Sequence, residues 1–388
     1  MLKQRWPVLG AEDRAAVARV LDRGVLSGAG APEMKALEAE FAEFIGIGWC
    51  LATNSGTAAL HIALAAVGLA PGDEVIVPAL SFIATAQAVL HEGATPVFAD
   101  VDPTTFNIDL ADAARRVTRR TRAIVPVHLH GLPADMDEIN ALARAHGLVV
   151  IEDAAQAHGA QYRGRTVGTL GTMAAFSLNS TKNLPAGEGG LFVTGDEALY
   201  GRAARVRFDG LDMPSKWDPA RPLDDEAGSL ATSRGWMYLP GELTAAVARA
   251  QLPRLAETTA RARRNGARLT ERLRGLRGIE TPVVPSDRTH VFHKYRVRLD
   301  PRRMGSSVAR ERMLEALRAE GVEAVLWQEC ALPHHPLFAS REPYPNATAA
   351  LDGSIIIGSQ SYPLFAQPLE VIDAWADAFE KVWTSSRF

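Results

Sequence analysis

Short apolar runs rich in Val, Ile and Phe recur between residues 73 and 195, and the stretches between the earlier ones carry apolar positions at helical spacing. The runs DEVIVPAL (73–80), TPVFADV (95–101), RAIVPVH (122–128), GLVVIED (147–153), MAAFSLN (173–179) and GGLFVTG (189–195) read as strands. Several are apolar at nearly every position, the pattern of strands covered on both faces. Amphipathic helices are predicted over 57–67, 83–92, 109–118 and 135–146. Strands alternating with helices make a largely parallel sheet wrapped on both sides.

After residue 196 the pattern changes. A helix over 196–207 leads into a polar, Pro- and Asp-rich segment, 208–228, which carries Lys216 and Trp217. At about 21 residues it exceeds the usual connection length and reads as a functional or mobile loop. A long helical stretch follows from Glu242 to Arg277, with a bend expected at Pro253. Strand-like HVFHKYRVRL (290–299) and helices over 307–320 and 368–383 complete a smaller α+β unit. The expected division is a large domain over 1–250 and a small one over 251–388.

Composition narrows the function. The 388 residues are 47% hydrophobic and 22% charged with a net charge of -3, so no electrostatic footprint for nucleic acid or an anionic membrane exists. Cys50 and Cys330 are too few for a disulfide framework or a metal site. The opening MLKQRWPVLG lacks an apolar core of the signal-peptide kind, and no long uninterrupted apolar run follows. A cytoplasmic enzyme is expected, with no metal. Lysine is scarce: Lys3, Lys35, Lys182, Lys216, Lys294 and Lys381 are the full set. No G-x-G-x-x-G follows a strand and opens a helix, which disfavours a nicotinamide dehydrogenase.

Ligands of open α/β sheets bind beyond the carboxyl ends of the strands, and several segments place polar groups there. Asn54-Ser55-Gly56-Thr57 opens a helix, where free N–H groups and a glycine can cradle a phosphate. Taken alone, it reads as a capped helix. In Val149–Gly159, Asp153 ends a buried strand, placed to face a cation such as a protonated pyridine nitrogen, with Gln156 within reach of a ring hydroxyl. Asp153 reads equally as a helix cap. Lys182 lies in a Ser/Thr/Asn-rich turn, Ser177–Gly190, ending in Gly-Glu-Gly-Gly; a partly buried lysine there can form a Schiff base, and Ser177 can add a hydroxyl to the phosphate cradle. Isolated, Lys182 is a surface-loop lysine. Phe82, at another strand-to-helix switch, can stack on a flat ring or simply fill the core. Phosphate turn, aspartate and lysine falling in that order at strand ends is what joins them.

Together with 27–46, SGTAALHIAL (55–64), DEVIVPALSFIATA (73–86), PVFADVDPTTFNID (96–109), IEDAAQAHGA (151–160) and STKNLPAGEGG (180–190), these residues resemble the DegT/DnrJ/EryC1/StrS sugar aminotransferases, fold-type-I enzymes dependent on pyridoxal 5'-phosphate (PLP). The resemblance implies a mostly parallel seven-stranded α/β domain and a smaller C-terminal α+β domain. It implies PLP as Schiff base on Lys182, which also relays the proton, with Asp153 against the ring nitrogen and Gln156 beside the ring hydroxyl. Gly56, Thr57 and Ser177 match the phosphate site, and Phe82 the stacking aromatic. It implies a homodimer with shared active sites, moving an amino group from glutamate or glutamine to a keto-sugar or keto-cyclitol in amino-sugar, aminocyclitol or antibiotic biosynthesis. Arg5-Trp6-Pro7 points weakly towards the aminocyclitol branch. Relatives with histidine at the lysine position dehydrate; Lys182 favours transamination.

One stretch departs from the family pattern. The usual Gly-Tyr-Asn-Tyr-Arg-Met reads Gly235-Trp236-Met237-Tyr238-Leu239-Pro240, so Met237 cannot make the asparagine's cross-subunit phosphate contact, and Ser233 or Arg234 is left as a substitute donor. Arg207-Phe208-Asp209-Gly210 is altered too. Trp217, Trp236, Met237, His293 and Tyr295 are the substrate-side candidates, with Trp327-Gln328 and His334-His335 also bordering the site; taken singly, each histidine reads as structural. The rivals are a PLP-dependent dehydratase or isomerase and a non-catalytic PLP-binding regulator.

Overall fold

The computed structural model describes residues 2–211, 230–300 and 307–385. Trp217 and Lys216 lie outside the described residues. Seven strands form the central sheet: β1 (Trp49–Thr53), β2 (Glu74–Pro78), β3 (Thr95–Ala99), β4 (Thr121–Ile124), β5 (Val149–Asp153), β8 (Met173–Ser177) and β9 (Gly190–Thr194), with the small hairpin β6 (Gln161–Tyr162) and β7 (Arg165–Thr166) between β5 and β8. Their order is β1-β9-β8-β5-β4-β2-β3, and only β9 runs against the rest. β2, β8 and β9 are buried at every position, which is why their sequences lack alternation.

Helices α1 (Ala11–Arg23), α2 (Pro32–Ile45), α3 (Gly56–Val67), α4 (Ala84–His91), α5 (Leu110–Arg116), α6 (Met136–His146) and α7 (Glu197–Arg207) cover the two faces. One layer of core joins α3 and α4 to the sheet through Leu60, Leu64, Val89, Val75 and Phe192; the other joins α2 and α6 through Phe41, Ile139, Ile76 and Phe176. Because both faces are filled, the polar ends of the strands are where solvent and ligands can enter.

The long C-terminal helical stretch breaks where proline requires it. Helix α8 (Glu242–Gln251) passes through a 3-10 turn, Leu252–Arg254, into α9 (Leu255–Leu273). Leu255 packs into the large core, whereas Ala262, Leu269 and Leu273 pack into a second one. That second core lies on an antiparallel sheet of order β10-β11-β13-β12, made of β10 (Ile279–Glu280), β11 (Tyr295–Leu299), β12 (Ala324–Val325) and β13 (Ser354–Ile357). Trp6, far away in sequence, also belongs to it and meets Phe365 edge-on at 5.0 Å. Among the described residues no helix is long and apolar enough to cross a membrane.

Candidate active site

Four sequence-distant turns meet at the carboxyl ends of the parallel strands. Asp153 ends β5, Ser177 ends β8, Ser55–Thr57 follow β1, and Phe82 follows β2. They line one cavity of about 640 Å³ together with Gln156, Asn179, Lys182, Glu188, His293, Lys294, Trp327 and Gln360. Every cofactor residue expected from the sequence (Gly56, Thr57, Phe82, Asp153, Gln156, Ser177 and Lys182) is on that lining.

Lys182 sits in a turn fixed by its own backbone. Its N–H donates to the Asn179 carbonyl at 2.9 Å, the Ser180 N–H donates to Gly187 at 2.8 Å, and Ala186 donates to Leu178 at 2.7 Å. Gly187 takes φ +93°, which a side chain would oppose. The carbonyl of Lys182 accepts the indole N–H of Trp6 at 3.1 Å. Burial pushes the Lys182 amine down to about 8, with Asp153 and then Glu188 holding it from falling further. About a tenth of such an amine is uncharged at pH 7, against about one part in three thousand for an exposed lysine.

Asp153 is held for ionic work at a buried position. Its carboxylate accepts the Thr85 hydroxyl at 2.7 Å and the Ala155 N–H at 3.2 Å. Thr85 gives its proton to Asp153, so the Ser81 hydroxyl, 2.8 Å away, donates to Thr85 in turn. Burial raises the Asp153 carboxyl above its ordinary value, opposed by Thr85, Ala155 and Lys182. A cation brought against it would restore the charged form. Gln156 accepts the His130 N–H at 2.8 Å through Oε1, which leaves its NH2 group as the donor on the cavity side. Phe82 is 55% exposed, an unusual state for phenylalanine and one that a flat ligand would relieve.

The phosphate end is built by close approach. Ser55 caps α3, its hydroxyl accepting the Ala58 N–H at 3.1 Å, so the Gly56 and Thr57 N–H groups precede any intrahelical bond. A Cβ on Gly56 would lie 2.7 Å from that of Ser177. Gly56→Ala is therefore expected to weaken PLP binding at least about tenfold and lower the melting temperature, since overpacking costs about 1–3 kcal/mol. Titration of the apoprotein with PLP checks this, and an affinity within about twofold of the parent contradicts the cradle. The buried carboxylate, the depressed amine and the free N–H pair fit PLP at its nitrogen, aldehyde and phosphate.

The substrate-side candidates separate. His293 lines the cavity, and burial, aided by Lys182 and Lys294, holds it well below its ordinary value and thus neutral. Tyr295 does not reach the cavity: it is buried in the second core and its hydroxyl pairs with Thr270 at 2.8 Å. Alternation along β11 accounts for this, Tyr295, Val297 and Leu299 facing the core while Lys294 and Arg296 face away. Trp236 and Met237 are also off the lining. Trp236 packs edge-on against His61 at 4.5 Å, and Met237 is 55% exposed. Their segment stays close to the phosphate turn, because the Asn54 N–H donates to the Tyr238 carbonyl at 2.8 Å. Ser233, Arg234, Gln328, His334 and His335 are not among the lining residues, whereas Trp327 is. Arg207 is buried behind the sheet, its guanidinium on Glu38 and the Ala52 carbonyl.

Thr85, Glu188, Lys294 and Gln360 were not singled out by the sequence. Thr85 had a signal, three positions after Phe82 and so one turn along the same segment; Lys294 had one as well, being one of six lysines and lying between His293 and Tyr295, whereas Gln360 comes from a distant part of the chain and had none.

The sheet order and the polar ends of its strands define a PLP-binding α/β transferase. The profile of the DegT/DnrJ/EryC1/StrS aminotransferase family matches residues 7–364. GDP-perosamine synthase of Caulobacter vibrioides is 39% identical over 320 residues, 82% of this chain and 82% of that protein. An aminotransferase structure from Psychrobacter cryohalolentis superposes with TM-score 0.89 at 30% identity, covering 99% of each chain. The S. venezuelae DesV structure, solved in complex with a ketimine intermediate, gives TM-score 0.84 at 34% identity over 98% of this chain and 99% of that one. The chain belongs to the DegT/DnrJ/EryC1/StrS aminotransferase family and is a PLP-dependent aminotransferase.

Proposed function

We propose that this aminotransferase takes its amino group from glutamate or glutamine and delivers it to the keto group of a sugar or cyclitol, in amino-sugar, aminocyclitol or antibiotic biosynthesis in the cytoplasm. The observation that carries the reading is the pairing, on one cavity, of a lysine amine lowered to about 8 with a buried carboxylate fixed by Thr85. Similarity to a GDP-perosamine synthase supports a sugar acceptor.

PLP, when bound, supplies an electron-poor ring that stabilises negative charge on the carbon losing or gaining nitrogen. The chain's own residues do the rest. Asp153 would hold the ring nitrogen protonated, Thr85 would keep that carboxylate aimed, and the Gly56 and Thr57 N–H groups with Ser177 would anchor the phosphate. Lys182 would provide the amine that holds the cofactor's aldehyde carbon until the donor's amine displaces it. It would then carry a proton from the donor's α-carbon to that aldehyde carbon, and in the second half from that carbon to the acceptor's former keto carbon. The same lysine serves both halves because each is a proton move within reach of one turn.

We also infer a homodimer with shared sites, and a large cofactor unit over 1–250 beside a small one over 251–388. Exposed Met237, held beside the phosphate turn by the Asn54–Tyr238 bond, supports a second copy covering this edge. The test is incubation of the PLP-loaded enzyme with glutamate or glutamine and a panel of keto-sugars and keto-cyclitols, with amine products detected by mass. A new amine with one of the acceptors is expected. No pyridoxamine phosphate after a single turnover with either donor would discard the proposed donors.

A further inference from the structure

The C-terminal part of the chain contributes His293, Lys294, Trp327 and Gln360 to the cavity. Of these only Lys294 carries charge, since burial keeps His293 neutral. Among the described residues the Lys294 ammonium has neither a hydrogen-bond acceptor nor a carboxylate partner. The two carboxylates on the lining are engaged elsewhere: Asp153 accepts from Thr85 at 2.7 Å, and Glu188 accepts from the Asn179 amide at 2.9 Å. Lys294 also borders a narrow neighbouring pocket with Arg296, His130 and His290, and among the described residues its lining again contains no acid. Burial, then the charges of Lys182 and Arg296, press its amine down to about 8. It is still mostly charged at pH 7. A partly desolvated cation without an acceptor is costly to maintain, and an arriving anion recovers that cost.

Lys182 also lacks an acceptor, but its nitrogen is used in holding the cofactor. Lys294 is the cation left over. We propose that Lys294 is a specificity-determining residue that binds the α-carboxylate of the amino donor and of the 2-keto acid it becomes. This rests on the transamination reading above. The α-carboxylate is attached to the carbon whose proton Lys182 moves, so its partner must share the cavity with Lys182 and lie close enough to feel its charge. Lys294 meets both conditions. A phosphate or nucleotide on a sugar acceptor lies several bonds from the carbonyl being aminated and does not need a cation there.

The experiment compares the PLP-loaded parent with Lys294→Met and Lys294→Arg. It reads steady-state kinetics with L-glutamate and L-glutamine, and calorimetric binding of 2-oxoglutarate. Lys294→Met is expected to raise donor KM and the 2-oxoglutarate Kd about 10- to 100-fold, the size of one lost charge-assisted bond. PLP affinity and kcat should change by less than about threefold, and Lys294→Arg should recover most of the loss. A donor analogue with an α-carboxamide should bind the parent as weakly as the carboxylate binds the Met variant. Unchanged donor KM and 2-oxoglutarate Kd would overturn the assignment, and so would a rise confined to the acceptor's KM, which would move the anion to the acceptor. If the parent transfers nothing from either donor yet binds 2-oxoglutarate in a Lys294-dependent way, the donor reading fails and the carboxylate site stands.

Discussion

Lys182→Ala is expected to remove the visible absorbance of bound PLP and at least about 10³-fold of turnover, because one nitrogen both holds the aldehyde carbon and moves the proton. Spectra and initial rates measured on the same preparation check the pair of losses. Retention of both would place the cofactor bond on another lysine, and borohydride reduction followed by peptide mapping would show which. The buried amine also leaves a signature in the apoprotein. Its folded pKa, about 8, lies below the ordinary 10.5, so between these values the unfolded chain holds a proton that the folded chain has released. Stability from this group therefore rises as pH climbs from about 8 towards 10.5, and below 8 the charged amine is a burden of about 3 kcal/mol. Lys182→Met keeps the packing and removes the burden. Denaturant unfolding of the two apoproteins should show the variant ahead at pH 7 and the difference shrinking by pH 10. A difference independent of pH would mean the amine is solvated.

Asp153→Asn is expected to slow the donor half-reaction by about 10²- to 10³-fold while PLP stays bound, since the amide cannot hold the ring nitrogen in its protonated form. Lys182 and the Gly56 cradle are untouched by the change, so loss of cofactor together with rate would contradict the assignment. Thr85→Val is the graded companion. It removes one hydroxyl, 2.7 Å from the carboxylate, and should cost about tenfold, the size of a single hydrogen bond to a charged group. In the apoprotein the sign reverses for Asp153. Burial raises its carboxyl above the unfolded value, so the ionised form is a cost at neutral pH, and Asn should leave stability equal or higher. Stopped-flow rates and apoprotein melts together separate a role in chemistry from one in folding.

The buried strands were readable because they are covered on both faces, and a run such as GLFVT admits little else. β1 was not read as a strand. Trp49–Thr53 is short, lies at the sheet edge against the reversed β9, and runs straight into the Asn54–Gly56 turn. The cofactor residues were legible for a local reason: each falls at, or within a few residues of, the end of an apolar run, and strand ends converge in this sheet class. The substrate side was not. Tyr295 and Lys294 are neighbours, and choosing between them needed the register of β11 against β13, which nothing in 290–299 reveals. Met237 departs from its family pattern in the sequence, but its exposed position beside Asn54 depends on a pairing between distant segments.

Trp6 bonds to the carbonyl of Lys182 while its indole is packed among side chains of the second sheet. The chemistry-bearing lysine is thus pinned from behind by a ring anchored in the opposite half of the molecule. Loss of the Trp6 ring would loosen the second core and the aim of the amine together, so a lowered melting temperature and a sluggish reaction should arrive in the same variant.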